Sequence, residues 1–424
     1  MLYALVAIMG LGVIDSYFIS FLGTNELAAI GFIVPITQVV TSFGLGLGMA
    51  VSSLVSKLIG ANKITDAAHV VTNGFYLTSI LAIFTIALLS WKLDTIFRLI
   101  GADTTTLAPI MSYMHIWIFA VPAVMFTMVC SSTFRALGDT RTSANIAIVM
   151  TLSNMLLNPV LIFGLGPIPE LGMAGAALAT LIAVMMSCFI GVYQLFFRER
   201  LLLLSKPNWQ DISNDIKSLI DIAVPAVLAN SIVPITAAVL TAIVAVLGTD
   251  AVAGFGVGSR IEAMMLIVVY ALSSTLPMFI GQNLGAQRKD RVRDSIRIAF
   301  KFTLIFQLCL YLLLAFLAAP IAAQFSTEDS VQKAIILYLR IVPIAYGLSG
   351  IIILINVSIN VLGKPKIALY INALRLALLY APLAYLGSRI NGLQGFFIGI
   401  TIAHGLAFII ATLWFNKTLK SLDI

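Results

Sequence analysis

MLYALVAIMGLGVIDSYFISFL, residues Met1 to Leu22, decides the fold of this chain. It is apolar for long enough to cross a bilayer, since roughly 20 residues at about 1.5 Å rise span a hydrocarbon core of about 30 Å. Asp15 lies well inside it. A carboxylate at membrane depth costs on the order of 2.5–3.5 kcal/mol on insertion scales, so it faces protein or water rather than lipid. Two readings follow. Asp15 is either hydrated near the interface or a titratable switch for ion coupling.

The rest of the chain repeats the pattern. Sixty per cent of the 424 residues are hydrophobic and 10% are charged, whereas a soluble domain carries about 25% charge. The apolar runs are continuous rather than alternating over about ten residues, which excludes a β-barrel and predicts an all-α polytopic membrane protein. Charge, Gly and Pro divide the sequence into twelve spans, near 1–22, 33–56, 67–91, 107–131, 142–164, 172–197, 216–247, 252–281, 295–322, 331–361, 365–388 and 393–416. The polar segment 198–215 reads as a linker between an N-terminal six-helix bundle, 1–197, and a C-terminal one, 216–424.

Basic residues set the expected orientation. Lys57, Lys63, Arg135, Arg141, Arg198, Arg200, Lys206, Lys217, the Arg288–Lys301 cluster, Lys364, Lys366, Lys417 and Lys420 fall on one side, against Lys92, Arg98, Lys333, Arg340 and Arg389 on the other. The richer side is cytoplasmic by the positive-inside rule, which puts both termini in the cytoplasm. The net charge of +7 is thereby a topology signal and implies no nucleic acid. Cys130, Cys188 and Cys309 are dispersed in apolar runs and form neither a disulfide framework nor a metal site.

An internal repeat runs through the chain. FLGTNELAAIG (21–31) matches VLGTDAVAGFG (246–256), LIGANKITDA (58–67) matches NLGAQRKDRV (283–292), and FRALGDTRT (134–142) matches INVLGKPKI (359–367), all at a shift of 225 residues. LGMAGAALATLIA (171–183) matches NGLQGFFIGITIA (391–403) in a slightly different register. Two six-helix halves with an even number of spans are related by a pseudo-twofold along the membrane normal. The lead-in IKSLIDIAVPAVLA of the seventh span has no counterpart before Met1, which points to a start upstream or a trimmed chain.

Enzyme motifs are absent: there is no phosphate loop, no HExxH and no GxSxG elbow, and no cofactor is expected. GLGLG at 44–48 lies within an apolar span with no preceding strand, so it reads as close helix packing. Without a nucleotide-binding domain, uphill transport draws on an ion gradient. The intramembrane polar residues then matter most. Asn154 and Asn158 stand at i and i+4 before Pro159 and leave one face of the fifth span, either as coupling groups or as helix glue. Tyr113 is an interface aromatic or a hydrogen-bond donor, His115 reads as a packing histidine, and Gln38 as a cavity residue. The 15 methionines and 25 phenylalanines suit an adaptable cavity, with Met125 as a candidate lining residue. Glu262 is the one clear buried acid of the second half, either paired with Arg375 or facing the substrate cavity.

VIDSYFISFLGTNELAAIGF (13–32), RALGDTRT (135–142), GMAGAALAT (172–180) and SRIEAMMLIVVYALSSTLPMFIGQNLGAQR (259–288) together resemble the multidrug and toxic compound extrusion (MATE) family. SRIE and GQNLGA are most similar to its DinF branch. The resemblance implies no enzyme but a secondary antiporter of the bacterial inner membrane. Such a protein is a monomer that exports drug-like organic cations and amphiphiles in exchange for protons or sodium ions through a V-shaped cavity. The resemblance also implies Asp15 as proton acceptor, with Tyr113 and Asn154 as neighbours. A second acid sometimes found on the fifth helix is here Asn158, a departure. The glutamate of the sodium-coupled branch falls near Val233, so the resemblance favours protons. The alternative is a flippase for lipids or lipid-linked oligosaccharides, for which only Arg260 and Arg375 lie deep.

Overall fold

The computed structural model describes residues 3, 12, 14–165, 169–203 and 209–424. Most of the first span lies outside the described residues, as does the middle of the expected linker, 204–208. Among the described residues all regular structure is helical. The end of α1 (14–20) is followed by α2 (Thr24–Gly60), α3 (Ile64–Leu99), α4 (Thr104–Trp117), α5 (Val121–Leu137), α6 (Thr140–Phe163), α7 (Gly172–Tyr193) and α8 (Trp209–Ala245). Then come α9 (Thr249–Met265), α10 (Ile267–Gly285), α11 (Lys289–Phe325), α12 (Asp329–Ile341), α13 (Tyr346–Val361), α14 (Pro365–Leu374) and α15 (Ala381–Ser421).

Ten of the described helical stretches are long and apolar enough to span a bilayer. The last, Pro365–Ser421, holds two spans, because Asn391 and Gly392 (φ 52°) break it. These are eleven of the twelve spans expected from the sequence; most of the first lies outside the described residues. One span in each half is interrupted at the corresponding place. A 3₁₀ turn at Ile118–Ala120 joins α4 to α5 before Pro122, and one at Val342–Ala345, containing Pro343, joins α12 to α13. A proline lacks the N–H that would continue the i→i−4 ladder, so the chain tightens there.

The repeat is written into the backbone. Gly23 and Gly248, Asn62 and Gln287, and Gly138 and Gly363 have positive φ, and each pair is 225 residues apart. Gly172 and Gly392, with φ of 53° and 52°, show the altered register of the last match. Asn62 and Gln287 both reach φ 59°, a left-handed conformation costing about 1–2 kcal/mol for residues with a Cβ. The same turn geometry has therefore been kept in both halves despite its cost.

The chain divides into two compact units, residues 1–227 and 228–424. The expected linker, 198–215, lies in the first of these. Leu203 N–H donates to Thr72 Oγ1 (3.0 Å) and Asn73 Nδ2 to Asp215 Oδ2 (2.7 Å). Leu201, Leu219, Ile222 and Ala223 join a core with Val129 and Phe134. Both described ends of the segment are thus bound into the first unit, whose boundary falls inside α8.

Within the first unit, small residues bring α6 and α7 into backbone contact. A Cβ on Gly175 would run into the Leu161 carbonyl, a backbone atom that cannot swing aside. Overpacking of this kind costs about 1–3 kcal/mol. Gly175→Val is expected to lower the melting temperature in detergent and the yield of folded protein; a variant as stable as wild type would contradict the contact.

Two acids cap helices of this unit. Asp103 Oδ1 accepts from Thr106 N–H (2.8 Å) at the start of α4, and Asp139 Oδ1 from Thr142 N–H (2.9 Å) at the start of α6. Partial burial opposes ionisation of Asp139, but the Thr142 hydrogen bonds and the Arg198 charge outweigh it and hold the carboxyl below its usual range. A depressed carboxylate stabilises the fold above its unfolded pKa, about 4, and that contribution fades as pH falls through the folded value. Asp139→Ala should therefore cost about 1 kcal/mol at neutral pH. Its deficit against wild type should shrink below about pH 4, read as convergence of the two thermal unfolding curves.

Candidate functional site

The polar centre of the first unit is built on α6. Its N-terminus is fixed by the Asp139 cap, and Pro159 removes the N–H that would bond to the carbonyl of Met155. One turn apart on the same face, Asn154 and Asn158 are each only 1% exposed. A buried amide must find partners, because an unmet one costs about 1–3 kcal/mol. Asn158 Nδ2 donates to Asp15 Oδ1 of α1 (2.5 Å) and to Asn154 Oδ1 (2.9 Å). Asn154 Nδ2 donates to Thr180 Oγ1 of α7 (3.1 Å), whose own hydroxyl donates to the Ala176 carbonyl (3.1 Å).

The direction of this chain is set at its far end. Thr180 gives its proton to a helix carbonyl, so it can only accept from Asn154; Asn154 then presents its oxygen to Asn158, and Asn158 presents N–H groups to the carboxylate. Asp15 is half-buried and forms no ion pair among the described residues. Among the described residues its charge is met by the Asn158 amide dipole. Asn158 Oδ1, geminal to the donor, is buried without a partner. The arrangement holds one ionisable group, a donor for its charged form and a spare acceptor for its neutral form.

Tyr113, buried on α4, borders the same group through Thr180. One unit therefore gathers Asp15, Asn154, Asn158 and Tyr113. Thr180 is a member that the sequence does not single out. The available signal is its place as the polar residue of GMAGAALAT, on the small-residue helix that can approach α6 closely. Among the described residues no group of three or more His, Cys, Asp or Glu side chains could hold a metal ion.

The other candidates lie elsewhere. Gln38 is exposed on α2. Met125 is fully buried in the core of the first unit, where α5 packs against Gly44 of α2. Gly44 lets the two helices approach closely at the Met125 backbone. His115 is exposed rather than packed. In the second unit, Glu262 forms no ion pair with Arg375; its Oε2 accepts from Tyr338 O–H at 2.6 Å. Gly258 on α9 makes room for the Tyr338 ring, where a Cβ would collide.

The MatE family profile matches residues 1–160 and 225–386. A FAD transporter of Shewanella oneidensis is 39% identical over 403 residues, covering 95% of this chain and 89% of the relative. The multidrug export protein MepA of Staphylococcus aureus is 24% identical over 407 residues, with 95% and 88% covered. Among solved structures, the Vibrio cholerae MATE transporter VcmN in its bent form superposes with a TM-score of 0.93 at 33% identity, covering 99% of this chain and 95% of that one.

Proposed function

Because the chain belongs to the MatE family of membrane transporters, we propose that it is a secondary active exporter of small organic molecules driven by protons taken up at Asp15. The observation that carries this reading is the Asn158–Asp15 hydrogen bond in a unit that supplies no cation to Asp15 among its described residues. An ionised Asp15 accepts from Asn158 Nδ2. A protonated Asp15 has an O–H to place, and the partnerless Asn158 Oδ1 is an acceptor on the same amide. Both protonation states are then hydrogen-bonded after a small rotation, while the charge of α1 changes by one. Antiport needs proton and cargo to bias one two-state element in opposite directions. The basic loops support an inner-membrane location with both termini in the cytoplasm.

The test uses inverted membrane vesicles carrying a pH gradient. Added ethidium or norfloxacin should partly collapse the gradient when the protein is present. Drug uptake that follows an imposed sodium gradient and leaves the pH gradient intact would move the coupling ion from proton to sodium, and uptake driven by neither would reject drug antiport.

The cargo has a second reading, favoured by the 39% identity to a FAD transporter against 24% to MepA: FAD leaves the cell through this protein. Cells that express it should then accumulate extracellular FAD beyond the empty-vector control. Drug resistance without FAD release would select the multidrug reading.

A further inference from the structure

Arg375 lies in the second unit at a point where the helix changes pitch. It opens a π-helical turn, Arg375–Tyr380, between α14 and α15, and such single turns inside α-helices recur at functional sites. It stands ten residues after Pro365, the first residue of α14, or about 15 Å along the axis. That is half of a hydrocarbon core of about 30 Å, the depth at which transporters bind their substrates.

An arginine at that depth needs a partner for its charge and five N–H donors. The guanidinium carbon lies 5.2 Å from the centre of the Tyr380 ring, a cation–π contact. Its edge donors form no ion pair or hydrogen bond among the described residues. Glu262 is within electrostatic reach but accepts from Tyr338 and stays outside ion-pair distance. His404 packs against the same Tyr380 ring at 4.8 Å and directs Nδ1–H to the Ile400 carbonyl at 3.0 Å, so it does not compete for the arginine. With no described residue taking its N–H donors, the guanidinium can offer two parallel donors to two oxygens of one phosphate.

We propose that Arg375 is the anion-recognising residue of the cargo site, taking the phosphate or pyrophosphate of an aromatic nucleotide such as a flavin. The proposal deepens, and rests on, the FAD reading of the cargo. It also gives a role to one of the two deep arginines that no ion pair accounts for.

The experiment titrates purified protein in lipid nanodiscs with FAD, FMN and riboflavin, following flavin fluorescence. Riboflavin has the ring system without the phosphate, so the ratio of affinities within one protein isolates anion recognition from folding. Wild type should prefer FAD and FMN over riboflavin by about tenfold or more, about 1.4 kcal/mol. Arg375→Gln should bring the ratio to near one. Arg375→Lys keeps the charge but loses the planar fork and should fall between; it decides the matter if the Gln variant binds no flavin. A wild type without preference, or a Lys variant and a Gln variant that both retain it, would overturn the proposal. FAD release from cells is scored separately. Preference without release would reject FAD as cargo and leave phosphate recognition standing; release with a preference indifferent to Arg375 would do the reverse.

Discussion

Asp15→Asn is expected to abolish the drug-induced collapse of a pH gradient in inverted vesicles, with a loss of about 100-fold or more in proton-driven transport, the equivalent of at least about 2.8 kcal/mol of lost bias. The side chains are nearly the same size, and the amide can still accept a hydrogen bond from Asn158. What it cannot do is change charge. A transporter whose two states are biased by a proton loses that bias when its one switchable group is fixed neutral, because a ligand shifts an equilibrium only by its differential affinity for the two states. Stability should move the other way. A half-buried carboxylate held by a single amide is replaced by a neutral group that loses less on leaving water, so the melting temperature of the variant should equal or exceed that of wild type. Equal transport by the variant and wild type would show that Asp15 is a structural residue. Lost transport with a collapsed melting temperature would show that the network holds the bundle together and would remove the case for a switch.

Much of this architecture was legible because it depends on local sequence. Continuous apolar runs must become helices in lipid, and the 225-residue repeat anticipates paired turns down to the left-handed Asn62 and Gln287. Asn154 and Asn158 are visible as one helix face because i and i+4 always share a side. Their partner Thr180 is not, since that requires knowing that α7 packs on α6 through Gly175. The same limit explains Met125. A helix that is apolar all round gives no periodic signal for which face meets a cavity and which meets another helix, and only the folded structure shows that this side chain is enclosed. For Glu262, charge suggested Arg375, whereas Gly258 admits the Tyr338 ring and its hydroxyl reaches the carboxylate first.

Substitutions along the Asp15 chain should have graded effects, with Asn158 the largest after Asp15 itself. Asn158→Leu removes the donor to a carboxylate and leaves Asn154 Oδ1 unmet, with two polar groups stranded at one step. A hydrogen bond to a charged group is worth about 1.5–3 kcal/mol, or about 10- to 100-fold in an equilibrium at about 1.4 kcal/mol per decade. Asn154→Leu leaves the bond to Asp15 intact and removes the brace behind it, a neutral contact of about 0.5–1.5 kcal/mol. Thr180→Val should cost least, since it removes an acceptor for Asn154 while keeping the shape of the side chain. Proton-driven transport should therefore fall most for Asn158, less for Asn154 and least for Thr180, with the melting temperature following more weakly. Equal losses at all three would mean that the chain acts as a rigid unit in which any break frees Asp15. A Thr180→Val variant worse than Asn158→Leu would show that Asn158 does not carry the bond on which the coupling depends.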